Sequence, residues 1–268
     1  MTAQTAGRTG HRPKHQPDPQ QPELAGRLAV VTGAGRGIGA AIAVELAQRG
    51  AGLLLLDLSF GASALKAFHQ SITPGGFFRA ECLDLSRGAA TRRQLARITQ
   101  NCPAADVLVN NAGYLRPRPF LRLREPEWDR HFDTNVSSMF TVTSVILPNM
   151  LARRQGRIIN IASELALTGR AGFVAYCASK SAVIGLTKAL AREVAPEGIR
   201  VNCIAPGPTV TRMLTRFPDE FNEVTQKAIP AHRFGAPADI AKTVAFLAGP
   251  GGDYFVGQVL SPNGGTVI

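Results

Sequence analysis

The sequence predicts an α/β protein, a single domain with a doubly wound parallel sheet and helices on both faces. Short, evenly apolar segments alternate along the chain with segments of helical periodicity, which is typical of parallel strands covered on both sides. Several of the apolar segments end on polar residues, where ligands of such sheets bind. The chain has 268 residues, 45% hydrophobic and 18% charged, which suits one soluble α/β domain.

The first predicted strand, residues 28–31, leads into the turn Thr32-Gly33-Ala34-Gly35-Arg36-Gly37-Ile38-Gly39. Gly33 permits the turn, while Gly37 and Gly39 lack side chains that would hold a pyrophosphate away from the first N–H groups of the following helix, 40–50. A second apolar strand then ends on Asp57, about 20 residues beyond the turn, where a carboxylate can accept both ribose hydroxyls of an adenosine. This combination predicts a Rossmann fold that binds a dinucleotide.

The remaining elements follow in alternation, and Ser86 is expected to cap the helix that follows it. A further strand is predicted to end at 82–85, and others at 106–109, 157–161, 200–204 and 257–260. Further helices are predicted at 62–70, 86–101, from 126, 171–194 and 237–247. Residues 1–23 are rich in proline and polar residues and predict a disordered tail before a domain spanning 24–268. Within the domain, residues 207–235 have weak periodicity and predict a mobile substrate lid of short helices.

Three side chains carry the predicted chemistry. Tyr176 and Lys180 are four residues apart on one helix and therefore share a face. A lysine ammonium there is expected to lower the phenol pKa, so that Tyr176 can exchange a proton with an alcohol while a hydride moves to or from a nicotinamide. Ser163 ends a strand and can hydrogen-bond the substrate oxygen, and Asn135 on an inward helix face is either structural or part of the site.

These motifs together closely resemble the short-chain dehydrogenase/reductase superfamily over nearly all of residues 24–265. The resemblance implies four catalytic residues: Asn135, Ser163, Tyr176 and Lys180. It also implies that Asn135 holds a water molecule, which belongs to a proton relay that runs through Lys180 and the nicotinamide ribose. The implied cofactor-binding residues are Gly33, Arg36, Gly37, Ile38, Gly39, Asp57, Asp84, Leu85, Asn111, Ala112, Gly113, Tyr176, Lys180, Pro206, Gly207, Thr209 and Thr211. Thr209 stands where the family often has an aliphatic residue but uses the backbone.

The choice of coenzyme depends on two opposed residues. Asp57 favours NAD(H), since a carboxylate binds the 2′-hydroxyl and repels a 2′-phosphate, whereas Arg36 in the turn can pair with that phosphate. The resemblance places Asp57 directly at the ribose, which favours NAD as the cofactor over NADP. The expected activity is therefore NAD(H)-dependent oxidation of a secondary alcohol or reduction of its ketone, with a hydroxyacyl or 3-oxoacyl thioester or a cyclic alcohol as candidate substrates. The alternatives are an NADP(H)-dependent 3-oxoacyl-carrier-protein reductase and a non-catalytic dinucleotide-binding sensor or scaffold.

Composition excludes other classes of partner. The formal charge is +11 and the pI is near 10.3, but the basic residues are mixed with acids and no nucleic-acid module is present. No apolar run approaches the ~18 residues of a membrane helix, no secretory signal is present, and four scattered cysteines and five histidines suggest reduced thiols and no metal. These features predict a cytoplasmic enzyme, and the resemblance implies a homo-oligomer, a tetramer or a dimer. Some of the arginines at 116, 118 and 170 are expected to border the substrate mouth and to attract an anionic thioester.

Overall fold

The computed structural model describes residues 22–268, and within that range one sheet holds seven parallel strands in the order β3-β2-β1-β4-β5-β6-β7. Its strands are β1 (Leu28–Thr32), β2 (Gly52–Asp57), β3 (Phe78–Cys82), β4 (Ala105–Asn110), β5 (Gly156–Ile161), β6 (Ile199–Ile204) and β7 (Val259–Leu260). The strand order reverses between β1 and β4, so a crevice forms there beyond the carboxyl ends of the strands. The expected disordered tail, 1–23, lies almost wholly outside the described residues.

Helices cover both faces of this sheet. They are α1 (Gly37–Gln48), α2 (Ala62–Ser71), α3 (Ala89–Gln100), α4 (Glu125–Phe132), α5 (Ser138–Arg153), α6 (Leu165–Thr168), α7 (Val174–Val194), α8 (Asp219–Lys227) and α9 (Pro237–Ala248). Short 3₁₀ turns lie at Phe120–Arg122, Ala195–Glu197, Leu214–Arg216 and Pro250–Gly252. The predicted single α/β domain with a doubly wound parallel sheet is confirmed.

The core consists of two apolar layers, one on each face of the sheet. Successive side chains of β2 point to opposite faces, so that Leu53 and Leu55 pack with α1 and α9 while Leu54 and Leu56 pack with α3, α5 and α7. All four of these leucines are fully buried. Burial on both faces explains why the strand sequences are continuously apolar instead of alternating.

Four local expectations need correction. The strand predicted to end at residues 82–85 is β3, which ends at Cys82, so that Asp84 and Leu85 lie in the loop beyond it. The helix predicted from residue 126 is interrupted by a π-helical turn, Asp133–Ser137, between α4 and α5. Ser86 does not cap α3, which begins at Ala89 after Gly88; the Ser86 hydroxyl donates instead to the Asp84 carboxylate at 2.7 Å. The long helix α7 begins at Val174, three residues later than predicted, because the short helix α6 and a turn precede it.

The region 207–235 contains the turn Leu214–Arg216 and α8, and its role as a mobile substrate lid stays a prediction. Between residues 22 and 268, no helix has both the length and the apolar character needed to cross a bilayer. In the same part of the chain, no group of three or more His, Cys, Asp or Glu side chains is arranged to hold a metal ion.

Candidate active site

One cavity of about 920 Å³ runs along the carboxyl ends of the central strands and under the segment 208–225. It is lined by all of the residues that the sequence suggested for cofactor binding, together with Ser163. Asn135 is the exception, since it lies behind the wall and is 1% exposed. The structure therefore brings residues from β1 to β6, far apart in the chain, to one elongated site.

The glycine turn at one end of the cavity leaves no room for side chains. Gly33 has a φ of +64°, and a Cβ there would lie 2.8 Å from the Cα of Ala112. A Cβ on Gly39 would lie 2.5 Å from Nδ2 of Asn111 and closer still to the Gly33 carbonyl oxygen. Because α1 begins at Gly37, its first N–H groups open onto this bare turn. The shape and the donors fit a pyrophosphate.

A hydrogen-bond cluster that sequence reasoning missed holds the turn against β4. The Thr32 hydroxyl accepts the backbone N–H groups of Asn111 (2.9 Å) and Ala112 (3.0 Å), and Nδ2 of Asn111 donates to the carbonyl oxygens of Thr32 (2.9 Å) and Gly33 (3.0 Å). Thr32 is 2% exposed. The only signal in the sequence was a hydroxyl residue ending an otherwise apolar strand. Asn111 thus supports the cofactor turn from behind.

The two residues that bear on coenzyme choice lie at the same end of the cavity. The Asp57 carboxylate accepts the N–H of Gly35 (2.7 Å) through Oδ2 and that of Leu58 (2.6 Å) through Oδ1, so the loops on either side hold it in place. Arg36 is exposed and, among the described residues, has no ion-pair partner. Further along, hydrogen bonds from Ser86, aided by Arg87, lower the pKa of Asp84 below its ordinary value.

Tyr176, Lys180 and Ser163 meet in the middle of the cavity. Lys180 is 3% exposed and donates from Nζ to the carbonyl oxygen of Ile161 at 2.8 Å, and Tyr176 is 9% exposed. Burial raises the pKa of Tyr176 to about 12, which the hydrogen bond with Ser163 opposes, and burial lowers the pKa of Lys180 to about 8. The expectation that Lys180 lowers the phenol pKa is therefore wrong for this geometry, because desolvation of the phenolate is the larger effect.

Asn135 lies in the π-helical turn and is fully engaged by neighbouring groups. Its Oδ1 accepts the N–H of Tyr114 at 2.7 Å, and its Nδ2 donates to the Tyr114 carbonyl oxygen (3.1 Å) and to the Ser179 hydroxyl (2.9 Å). The Ser179 hydroxyl in turn donates to the Tyr176 carbonyl oxygen at 2.9 Å. The side chain of Asn135 thus ties the loop after β4 to the helix that carries Tyr176, and Ser179 is a member of this cluster that sequence reasoning missed.

The far end of the cavity is aromatic and basic. Phe173, Phe217 and Phe221 form a stack with ring centroids 6.0 and 4.6 Å apart. Of the arginines expected near the substrate mouth, only Arg170 lines the cavity; those at 116 and 118 both pair with the Glu127 carboxylate, at 3.3 and 3.2 Å. Arginines at 130, 212 and 216, which the sequence did not single out for this site, line the cavity as well.

Comparisons with known proteins agree with this geometry. The family model described as short chain dehydrogenase matches residues 27–221. A 3-oxoacyl-[acyl-carrier-protein] reductase of Vibrio cholerae is 41% identical over 245 residues, which cover 91% of this chain and 99% of that protein. A structure assigned as a 2-deoxy-D-gluconate 3-dehydrogenase of Agrobacterium tumefaciens, with bound NADP, is similar at a TM-score of 0.84 and 35% identity over 92% of this chain and 98% of the other. A blue fluorescent protein from a metagenomic library, in complex with NADPH, is similar at a TM-score of 0.83 and 35% identity, over 92% of this chain and 100% of the other.

Proposed function

The chain belongs to the short-chain dehydrogenase family, and on that premise we propose that it is an NAD(H)-dependent oxidoreductase that interconverts a secondary alcohol and its ketone. The glycine turn and the strand ends beside it would hold the dinucleotide, which would supply the acceptor or donor for a hydride at the carbinol or carbonyl carbon. The observation that carries the proposal is the meeting of Tyr176, Lys180 and Ser163 in the same cavity as the bare glycine turn. The non-catalytic alternative, a sensor or scaffold, has no need of that arrangement.

We assign the proton transfer to the Tyr176 hydroxyl. During oxidation the phenolate takes the proton of the substrate hydroxyl, and during reduction the phenol returns it to the oxygen that becomes the alcohol. We assign the Ser163 hydroxyl, which lines the same cavity as Tyr176, to donating a hydrogen bond to the substrate oxygen as charge develops there. Lys180 holds a positive charge below a pH of about 8, and we assign it to the coenzyme side of the site, where the family resemblance implies a contact with the nicotinamide ribose. Asn135 is assigned to holding this helix and the preceding loop in register.

The preference for NAD(H) over NADP(H) rests on Asp57. The solved relatives described above hold NADP or NADPH, so the choice has to come from residues of this chain. Two backbone N–H groups fix the Asp57 carboxylate at the adenosine end of the cavity, where it accepts a ribose hydroxyl and repels a 2′-phosphate. Arg36 offers the opposite interaction but is exposed and has no ion-pair partner within residues 22–268.

The test is a comparison of initial rates at 340 nm with both coenzymes for the unmutated enzyme, Asp57→Ser and Arg36→Gln. We expect the unmutated enzyme to prefer NAD(H), and Asp57→Ser to weaken NAD(H) by about 10- to 100-fold while improving NADP(H), as for loss of a hydrogen bond to a charged group. Arg36→Gln is the matched variant and should reduce only the use of NADP(H). An unmutated enzyme that uses the two coenzymes equally would contradict the assignment.

A second candidate is an NADP(H)-dependent reductase of 3-oxoacyl-carrier-protein thioesters. It is favoured by the 41% identity to a relative of that name. A spectrophotometric screen of ketones, cyclic alcohols and acyl thioesters with both coenzymes separates the two candidates. Turnover confined to the thioesters with NADPH would replace the first proposal with the second.

We also expect a cytoplasmic homo-oligomer, a tetramer or a dimer that pairs the long central helices. Phe140 of α5 is 60% exposed and lies 5.5 Å from the Arg92 guanidinium, so its ring is accessible to a second copy. The four cysteines are free, in keeping with a reducing compartment. Light scattering coupled to size exclusion measures the assembly, and a monomer would remove this expectation.

A further inference from the structure

Arg170 has an unusual position in the substrate half of the cavity. Its half-buried guanidinium lies 4.3 Å from the ring centroid of Phe221 and 5.6 Å from that of Phe173, and Nη2 donates to the Thr225 hydroxyl at 3.2 Å. The aromatic faces displace water from the guanidinium, and the bond to Thr225 fixes its orientation. The guanidinium plane is therefore held in one orientation, and it lines the same cavity as Ser163.

This cation has no carboxylate of its own. Among residues 22–268, no Asp or Glu lies within ion-pairing distance of Arg170, whereas Arg116 and Arg118 share Glu127. The acid that Arg170 influences, Glu164, is 7% exposed and accepts a hydrogen bond from the Thr266 hydroxyl. A partly desolvated guanidinium with one neutral partner leaves most of its donors unused, and an anion arriving from the cavity would restore the lost solvation.

We propose that Arg170 is a specificity-determining residue that binds an oxoanion of the substrate, and that the substrate is therefore a hydroxy or oxo compound carrying a carboxylate or a phosphate. The inference rests on the proposed function, because it assumes that the reacting carbon lies against Ser163 and Tyr176. The guanidinium fork matches the two oxygens of such a group in a bidentate pair. The stack of Phe173, Phe217 and Phe221 supplies an apolar wall for the carbon chain between the two ends.

Two sources of the oxoanion are compatible with this chemistry. One is the carboxylate of a small hydroxy acid, which would reach Arg170 from the reacting carbon within the cavity. The other is a phosphate on the carrier arm of an acyl thioester. Binding measurements separate them without turnover, because an alcohol cannot react with a protein that is already loaded with reduced coenzyme.

The experiment is calorimetric titration of the NADH-loaded or NADPH-loaded full-length protein with two hydroxy acids and their neutral counterparts. The pairs are 3-hydroxybutyrate with its methyl ester and gluconate with glucitol, and coenzyme A is the phosphate probe. We expect at least one anion of this set to bind about 10- to 100-fold more tightly than its neutral counterpart, with pantetheine as the counterpart of coenzyme A. Arg170→Gln should reduce that ratio below about threefold, and Arg170→Lys, which keeps the charge but not the fork, should retain part of it.

Two matched variants separate anion binding from a structural role. Arg118→Gln removes a neighbouring arginine that is paired outside the cavity and should leave the ratio unchanged. Thr225→Val removes the bond to α8 but keeps the guanidinium, so the preference for the anion should remain. If Arg170→Gln weakens charged and neutral ligands equally, Arg170 only fastens α8, and the proposal is wrong; it is equally wrong if no anion of the set is preferred. Hydride transfer, followed separately at 340 nm, reports whether the proposed function itself fails.

Discussion

We expect the burial of Lys180 in the site to lower the free energy of unfolding of the protein. Burial lowers its pKa from the ordinary 10.5 to about 8, so the folded protein binds this proton more weakly than the unfolded chain does. A difference of about 2.5 between the two pKa values corresponds to about 3 kcal/mol at neutral pH. Lys180→Met removes this cost, but it also leaves the Ile161 carbonyl oxygen without its donor, a loss of about 1–3 kcal/mol.

The two contributions differ in their dependence on pH, which separates them. Between pH 8 and 10.5 the unfolded chain holds the lysine proton and the folded protein does not, so the free energy of unfolding of the unmutated protein rises with pH. The missing hydrogen bond in Lys180→Met is a constant offset. The unmutated protein should therefore gain about 2 to 3 kcal/mol relative to Lys180→Met between pH 7 and pH 10. Above that range the raised pKa of Tyr176 acts in the opposite direction.

The assay is denaturant unfolding followed by the fluorescence of Trp128, the single tryptophan, at fixed protein concentration from pH 7 to pH 10. Lys180→Met should have lost turnover at every pH, which confirms that the substitution reached the site. A difference in unfolding free energy that stays within about 0.5 kcal/mol across the series would show that Lys180 titrates normally. The stability argument would then be refuted, whatever the effect on turnover.

Two further changes test the site itself. Tyr176→Phe removes only the hydroxyl, so turnover should fall by at least ~10²-fold while coenzyme affinity, measured by fluorescence titration, is retained; turnover within a few-fold of the unmutated enzyme would make Tyr176 a bystander. Gly39→Ala places a methyl group against the Gly33 carbonyl oxygen, so the affinity for the coenzyme should fall at least about tenfold. An unchanged dissociation constant would show that the turn tolerates a side chain.

The cofactor half of the cavity follows from local sequence. Gly33 and Asn111 directly follow short apolar strands and Asp57 is the last residue of another, and parallel strands bring their carboxyl ends to one edge. The glycines that leave the turn without side chains can also be identified directly from the sequence. For this reason the sequence alone predicts the fold and the lining of this half.

The energetic environment of Tyr176 does not follow from local sequence. Its spacing from Lys180 puts the two side chains on one helix face, but the spacing says nothing about how much water reaches them. The pKa values depend on burial by β5, the loop after β4 and the segment over the cavity, all of which are distant in the chain. The π-helical turn at Asn135 escapes prediction for a similar reason, since its side chain is fixed by Tyr114 and Ser179 rather than by its own helix.

The substrate half of the cavity is assembled from segments that have no shared pattern in the sequence. Arg170 reaches its partner Thr225 across 55 residues, and Phe173 stacks on Phe217 across a similar separation. Neither contact has a periodicity or spacing that could be identified before the chain folds. The same cation also lacks a carboxylate partner among residues 22–268, and this is the observation on which its proposed role rests. The sequence offers Arg170 only as one of three candidates, and the folded structure separates it from Arg116 and Arg118, whereas the residues proposed to hold the coenzyme are visible in the sequence.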